Sequence, residues 1–138
     1  MPIPLPAPAA QFLPHRPPIV MVDTLLENSP TRKSALCVIH PDNQFLNGDG
    51  LLDATTIPEI IAQAAAASDS HTHDGAIRPG FLALARDIQI ERDIRVNDEI
   101  IITATDESPL DGWFVINFEL RLRDGTLCAH GEISVCQL

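Results

Sequence analysis

The chain has 138 residues, 45% hydrophobic and 20% charged, which is the size of one domain with one core. Nine Lys and Arg against 19 Asp and Glu give a formal net charge of -10, which argues against a nucleic-acid backbone or an anionic lipid surface as partner. No Tyr and only 4% aromatic residues leave aliphatic packing to build the core and make base-stacking platforms poorly supported.

The three cysteines, Cys37, Cys128 and Cys136, are odd in number and lack metal-ligand spacing, so they read as free thiols in a reducing compartment. The N-terminus has neither a basic leader nor an unbroken apolar run, and no stretch is long enough to span a bilayer. A cytoplasmic location, without membrane contact, is the expectation.

Seven prolines fall within the first eighteen residues, so residues 1–10 are expected to form a Pro-rich extended arm, followed by a single domain over 11–138. From Ile19 an apolar run, the turn residues Asn28-Ser29-Pro30-Thr31 and a second apolar run predict a hairpin. Residues 42–54, with Gly48 and Gly50, read as a loop into a helix that starts at Thr55 or Thr56 and runs to about Ser68. That helix carries no charged face, so it must be buried nearly all round.

Residues 68–80 are polar and predict a connection, after which four strands are expected within 81–91, 99–107, 113–123 and 126–138. In the third, Phe114, Ile116, Phe118, Leu120 and Leu122 alternate with polar residues and Val115, the period of a strand with one buried face. Asp124-Gly125 and Asp111-Gly112 are turn signals around it. The order predicts an α+β domain: one central helix wrapped by a curved antiparallel sheet of five to six strands, with an edge left for a second subunit.

Glu59 and Gln63, four residues apart, form one polar stripe on the apolar helix. A partly desolvated carboxylate there suits a general acid, and Gln63 could orient it or donate to a substrate oxygen. The alternative is equally specific: Thr56-Ile57-Pro58-Glu59 matches a capping box, in which Glu59 only returns a hydrogen bond to the backbone.

The run Leu13-Pro14-His15-Arg16-Pro17-Pro18-Ile19-Val20-Met21-Val22-Asp23 resembles the opening motif of the β-hydroxyacyl-acyl-carrier-protein dehydratases of type II fatty-acid synthesis. Glu59-Ile60-Ile61-Ala62-Gln63-Ala64 resembles their central-helix motif, and Gly80-Phe81-Leu82-Ala83-Leu84 through Asp98-Glu99 the strand and turn that follow. The resemblance implies a hotdog fold, a site at a dimer interface, an acyl thioester as substrate, Glu59 as the acid, and Gln63, Gly48, Gly80 and Phe81 beside the substrate. It implies no cofactor and no metal.

The family's Gly-His-Phe-Pro-Gly loop, which carries the catalytic His, is here Phe45-Leu46-Asn47-Gly48-Asp49-Gly50. Asp49 stands nearest to the missing His, and His15 is the best substitute among the histidines. The pattern resembles a divergent group of hotdog dehydratases associated with aryl-polyene-like lipid pathways. His71, His73 and Asp74 could hold a metal but read more simply as a solvated loop, while His40 and His130 read as structural. Arg92, Arg95, Arg121 and Arg123 are either a landing patch for an acidic carrier or a solvated sheet face.

Three functions fit. One is a dehydratase of 3-hydroxyacyl thioesters, carried by acyl carrier protein or coenzyme A. The second is a hotdog thioesterase using Glu59 and Gln63, and the third a non-catalytic subunit that binds an active dehydratase. The assembly is expected to be a homodimer or higher oligomer, or a heterodimer with another hotdog subunit.

Overall fold

The computed structural model describes residues 3–14, 20–77, 80–110 and 113–137, with the side chains of 80–83, 106–110 and 137 outside that description. The described strands are β1 (Ala7–Pro8), β2 (Thr24–Asn28), β3 (Lys33–Val38), β4 (Gly80–Ile90), β5 (Glu99–Leu110), β6 (Trp113–Leu122) and β7 (Leu127–Gln137). They pair antiparallel in the order β1-β2-β3-β5-β6-β7-β4. The single described helix, α1 (Ile57–Thr72), lies on one face, touching β2, β3, β4 and β7. This is the expected hotdog architecture, and no described helix is long and apolar enough to cross a membrane.

The period-two pattern of β6 decides which way it faces. Ile116, Phe118 and Leu120 are buried toward the helix, with Phe118 and Leu120 opposite Ala104 and Ile102 of β5 and Ile116 and Leu120 opposite Ile133 and Ala129 of β7. The tip between β6 and β7 is the expected Asp124-Gly125 turn, where Gly125 takes φ +96° and Asp124 accepts from the Thr126 N–H. Asp111-Gly112 lies outside the described residues.

Three expectations are corrected. The sheet has seven described strands rather than five to six, because the Pro-rich segment contributes one. Residues 3–10 are not a detached arm: Ala7 and Pro8 pair with Leu25 and Thr24, Ala9 donates to the Asp23 carbonyl, and Ala7 and Ala9 are buried. Proline is tolerated there because β1 is an edge strand, where a missing N–H leaves no ladder bond unmade.

The helix runs one turn past Ser68, to Thr72, so the first part of the stretch read as loop is helical. Its polar residues find tertiary partners: the Ser68 carbonyl accepts from Asn28, Ser70 Oγ donates to the Ala76 carbonyl, and His71 is buried. These contacts outweigh weak helix propensity. Ala64 and Ala67 are buried as expected, but Ala62, Ala65 and Ala66 are only partly covered within one chain.

β4 is the outer strand of the sheet, with Leu84 and Ile90 among the exposed large apolar residues. Its ladder with β7 slips between Arg86 and Gln89, where Asp87 adopts φ +54° and two residues face Gly131. A Cβ on Gly131 would lie 2.7 Å from Ile88 Cδ1, 3.0 Å from Ile88 Cα and 3.1 Å from the Asp87 carbonyl oxygen. Gly131→Ala is therefore expected to cost about 1–3 kcal/mol through overpacking, read as a lower urea midpoint.

Cys37, Cys128 and Cys136 are all free thiols. Burial, with the nearby Asp23 charge, pushes the Cys37 thiol from 9.0 up to about 12. The unfolded chain releases this proton from about pH 9 while the folded chain holds it, so the contribution to stability is complete below pH 9 and is lost as pH rises toward 12. Urea unfolding should show a decline of up to about 1.4 kcal/mol per pH unit above pH 9 that Cys37→Ala removes.

Candidate functional site

The entry to α1 is built by the residues before it. Asp53 accepts from the Thr55 backbone and hydroxyl, holding a short 3-10 turn (Ala54–Thr56) ahead of the helix. Those bonds keep the Asp53 carboxyl below its usual range, the backbone bond contributing most. Pro58 sits in the first turn, where its missing N–H costs nothing.

The capping box does not form. Thr56 has φ -82° and ψ -14°, already helical, and its hydroxyl turns back to donate to the Asp53 carbonyl at 2.7 Å. A capping side chain needs an extended backbone at that position, so the Thr56 side chain has no helix N–H to serve. Glu59 is instead engaged by Gln63, whose Nε2 donates to Glu59 Oε1 at 3.2 Å.

Gln63 is fully buried, and its Oε1 accepts from the Met21 N–H at 2.8 Å. Because a backbone N–H can only donate, the amide has one orientation, with oxygen toward Met21 and nitrogen toward Glu59. Met21, near the end of the Leu13–Asp23 motif, thus fixes Gln63, and Gln63 orients the carboxylate. Glu59 heads a partly covered lane of the helix formed with Ala62, Ala65, Ala66 and Asp69, residues that share one face by helical spacing.

The other expected site residues are not drawn to Glu59 by any described contact. Asp49 is exposed on a turn in which Asn47 Oδ1 accepts from the N–H groups of Asp49 and Leu51. The turn is tied to the β4–β5 connection through Val96 N–H to the Gly50 carbonyl and the Leu51–Arg95 bridge. Gly48 is exposed beside open space. Gly80 and Phe81 open β4, paired with Gln137 and Cys136. His15 lies outside the described residues.

The described histidines point elsewhere. His40 continues the outward parity of Leu36 and Val38, opposite the buried Cys37 and Ile39, and its Nε2 meets Asp23 Oδ1 at 2.7 Å. His130 lies between the core-side Ala129 and Gly131, faces outward, and meets Glu91 at 3.0 Å. His71 is three turns beyond Glu59, about 18 Å along the axis.

Nor is there a solvated His71-His73 loop: His71 is buried under the N-terminal segment, while His73 caps the helix end against the Asp69 carbonyl at 2.8 Å. The two rings face different surroundings.

The basic side chains considered for carrier binding are largely matched by carboxylates. Arg92 meets Asp98 at 2.9 Å, Arg121 meets Glu119 at 3.0 Å and Arg123 meets Glu99 at 3.1 Å.

This fold and this helix agree with comparison to known proteins. A family model described as ApeP dehydratase, ApeP-like, matches residues 7–138. The chain belongs to the ApeP-like dehydratase family. No curated protein matches it by sequence.

Among solved structures it is similar to the dehydratase heterocomplex ApeI:P from Xenorhabdus doucetiae, with 20% identity, TM-score 0.85, and 96% of this chain and 91% of that one covered. It is also similar to a mutant of the phenylacetic acid degradation protein PaaI from Thermus thermophilus, with 16% identity, TM-score 0.61, and coverage of 83% and 91%. A hypothetical thioesterase with coenzyme A from Streptococcus pneumoniae gives 9% identity, TM-score 0.59, and coverage of 83% and 84%. At these identities the structures establish the hotdog fold, and the family model identifies the divergent dehydratase group within it.

The match to residue 7 includes β1, in keeping with its place in the sheet. The buried Gln63 bond to Met21 was not stated by the sequence, although a lone amide inside an alanine-rich helix was its signal. Gln63→Leu should strand the buried Met21 N–H and lower stability by about 1–3 kcal/mol in urea unfolding. Gln63→Glu should be no rescue, because it buries a carboxylate that has no N–H to donate to Glu59.

Proposed function

We propose that this chain is the acid-bearing subunit of a dehydratase acting on 3-hydroxyacyl thioesters, with acyl carrier protein as the carrier. Water leaves as the C2–H and C3–O bonds break and a C2=C3 double bond forms. Protonated Glu59 gives its proton to the departing β-hydroxyl, while a base removes the α-proton. The observation that carries this reading is the Met21–Gln63–Glu59 chain, which holds one carboxyl group at the head of the partly covered, alanine-lined face of α1.

The base belongs to a second hotdog subunit in this reading. His40 and His130 face away from the helix side, His71 and His73 lie at its far end, and Asp49 is on an exposed turn. The unpaired edge of β4, with exposed Leu84 and Ile90, is the surface where that subunit would extend the sheet. The likeness to a dehydratase heterocomplex supports a different chain as partner. So does charge, since the net -10 and the matched arginines leave an acidic carrier better received on the other subunit.

Glu59→Gln tests the assignment. Without a capping box, Gln should leave stability nearly unchanged, whereas turnover of the assembled enzyme should fall by roughly 10²- to 10⁴-fold, because Gln has no proton to give. The assay follows enoyl absorbance during dehydration of a 3-hydroxyacyl thioester or hydration of a 2-enoyl thioester. Full activity in Glu59→Gln would defeat the acid role. Activity of this chain alone, abolished by His15→Ala, would place the base within it. Hydrolysis without elimination would make it a thioesterase.

A further inference from the structure

His71 is a buried titratable side chain that the proposed chemistry does not use, and three residues from two remote segments converge on it. Its Nε2 lies 2.8 Å from the Ile3 carbonyl oxygen, its Nδ1 lies 2.9 Å from Asn28 Nδ2, and its ring meets Phe12 edge-on with centroids 5.5 Å apart. Ile3 and Phe12 bracket the N-terminal strap of residues 3–13, which includes β1. At the other end of the same stretch, Met21 is held by Gln63, so this part of the chain is fastened to α1 at two separate turns.

The hydrogen bonds fix the protonation state. Asn28 Nδ2 lies 2.9 Å from the Ser68 carbonyl oxygen, which can only accept, so the Asn28 amide presents its NH₂ and not its oxygen. Nδ1 of His71 must then accept, and Nε2 must carry the hydrogen that it donates to Ile3. Only the neutral imidazole in this one tautomer satisfies both partners. A second proton would sit on Nδ1 and face a donor that is already held in place.

Among the described residues, the carboxylates near His71 are turned to other partners. Described residues 3–14 contain no ionisable side chain. On β2, Glu27 is engaged by Arg32 at 2.9 Å, and Lys33 begins β3 opposite Asn28. On the helix and beyond it, Asp69 lies 3.6 Å from His73, and Asp74 follows the helix end in a left-handed turn. The helix C-terminus would itself favour a cation, but its last carbonyls are occupied: Ser68 by Asn28 and Thr72, Asp69 by His73, Ser70 by Gly75, and His71 by Asp74.

We propose that His71 is an acid-released latch for the N-terminal strap, closed when the imidazole is neutral and opened when it takes up a proton. The strap then detaches from the last turn of α1 while the sheet stays folded. Because the strap continues into the segment that holds Gln63, the latch ties the seating of the catalytic helix to pH.

The test is amide hydrogen exchange on the whole chain between pH 7.5 and 5.5, expressed as protection factors so that intrinsic pH dependence is removed. The Ala9 N–H, bonded to the Asp23 carbonyl, reports the strap, and Ile102 of β5 reports the sheet. Coupling of strap release to the uptake of one proton predicts that Ala9 protection falls by up to about tenfold per pH unit toward acid, with Ile102 unchanged.

His71→Phe should keep the Phe12 contact yet show low Ala9 protection with no pH slope. Asn28→Asp, which places an acceptor against Nδ1, should reverse the slope, giving a tighter strap in acid. A flat profile in the wild type, or the same slope in His71→Phe, overturns the latch. Should His71→Phe not fold, Asn28→Asp decides in its place, and a wild-type slope that Asn28→Asp leaves unchanged overturns the latch as well.

Discussion

A backbone N–H at Met21 and a side-chain amide at Gln63, both removed from water, need each other, and much else follows from that need. An unpaired N–H inside this aliphatic core would cost more than a typical hydrogen bond returns, so residues 20–23 are pinned to α1 before β2 begins. The amide then has its nitrogen left over, and Glu59 takes it. A structural requirement of the core thereby becomes the orienting device of the site. The carboxyl proposed as the acid is held by a group that could not be removed without damaging the fold.

Legibility from sequence depended on whether a pattern was local. The alternation in β6 was readable because each residue reports its own side of the sheet, and the Asp124-Gly125 turn because its backbone conformation nearly dictates its residues. The helix was readable by its alanines, yet its last turn was not. Ser70 and His71 look like loop residues until Ala76, Ile3 and Asn28 are brought to them across the fold. The same holds for the proline-rich start, whose composition predicts detachment while its burial depends on a strand nearly twenty residues later.

The capping box shows the opposite failure, a local motif that was present and not used. Thr and Glu stand at the right spacing, but the 3-10 turn built on Asp53 has already brought Thr56 into helical conformation. With the hydroxyl spent on the Asp53 carbonyl, Glu59 is released from the backbone and available to Gln63. Asp53 therefore contributes to the site indirectly, by deciding where the helix begins. Such a choice between two overlapping start signals is settled by tertiary position and could not be read from the four residues alone.

What the chain lacks is as ordered as what it has. Sheet parity sends His40 and His130 to the outer face, and in both cases a carboxylate meets the ring there. Moving either ring to the helix side would require a one-residue register slip, which would also turn the buried apolar side chains of that strand outward. The core thus forbids these histidines from serving Glu59. The strand at the free edge is irregular, with a bulge beneath which only Gly131 fits, and it exposes Leu84 and Ile90 rather than a row of charges. The proposed acid on a partly covered helix face, the described histidines held away from it and an apolar edge left open are the features on which the proposal of a second subunit rests. In that proposed assembly, burial of the helix and completion of the site would be the same event.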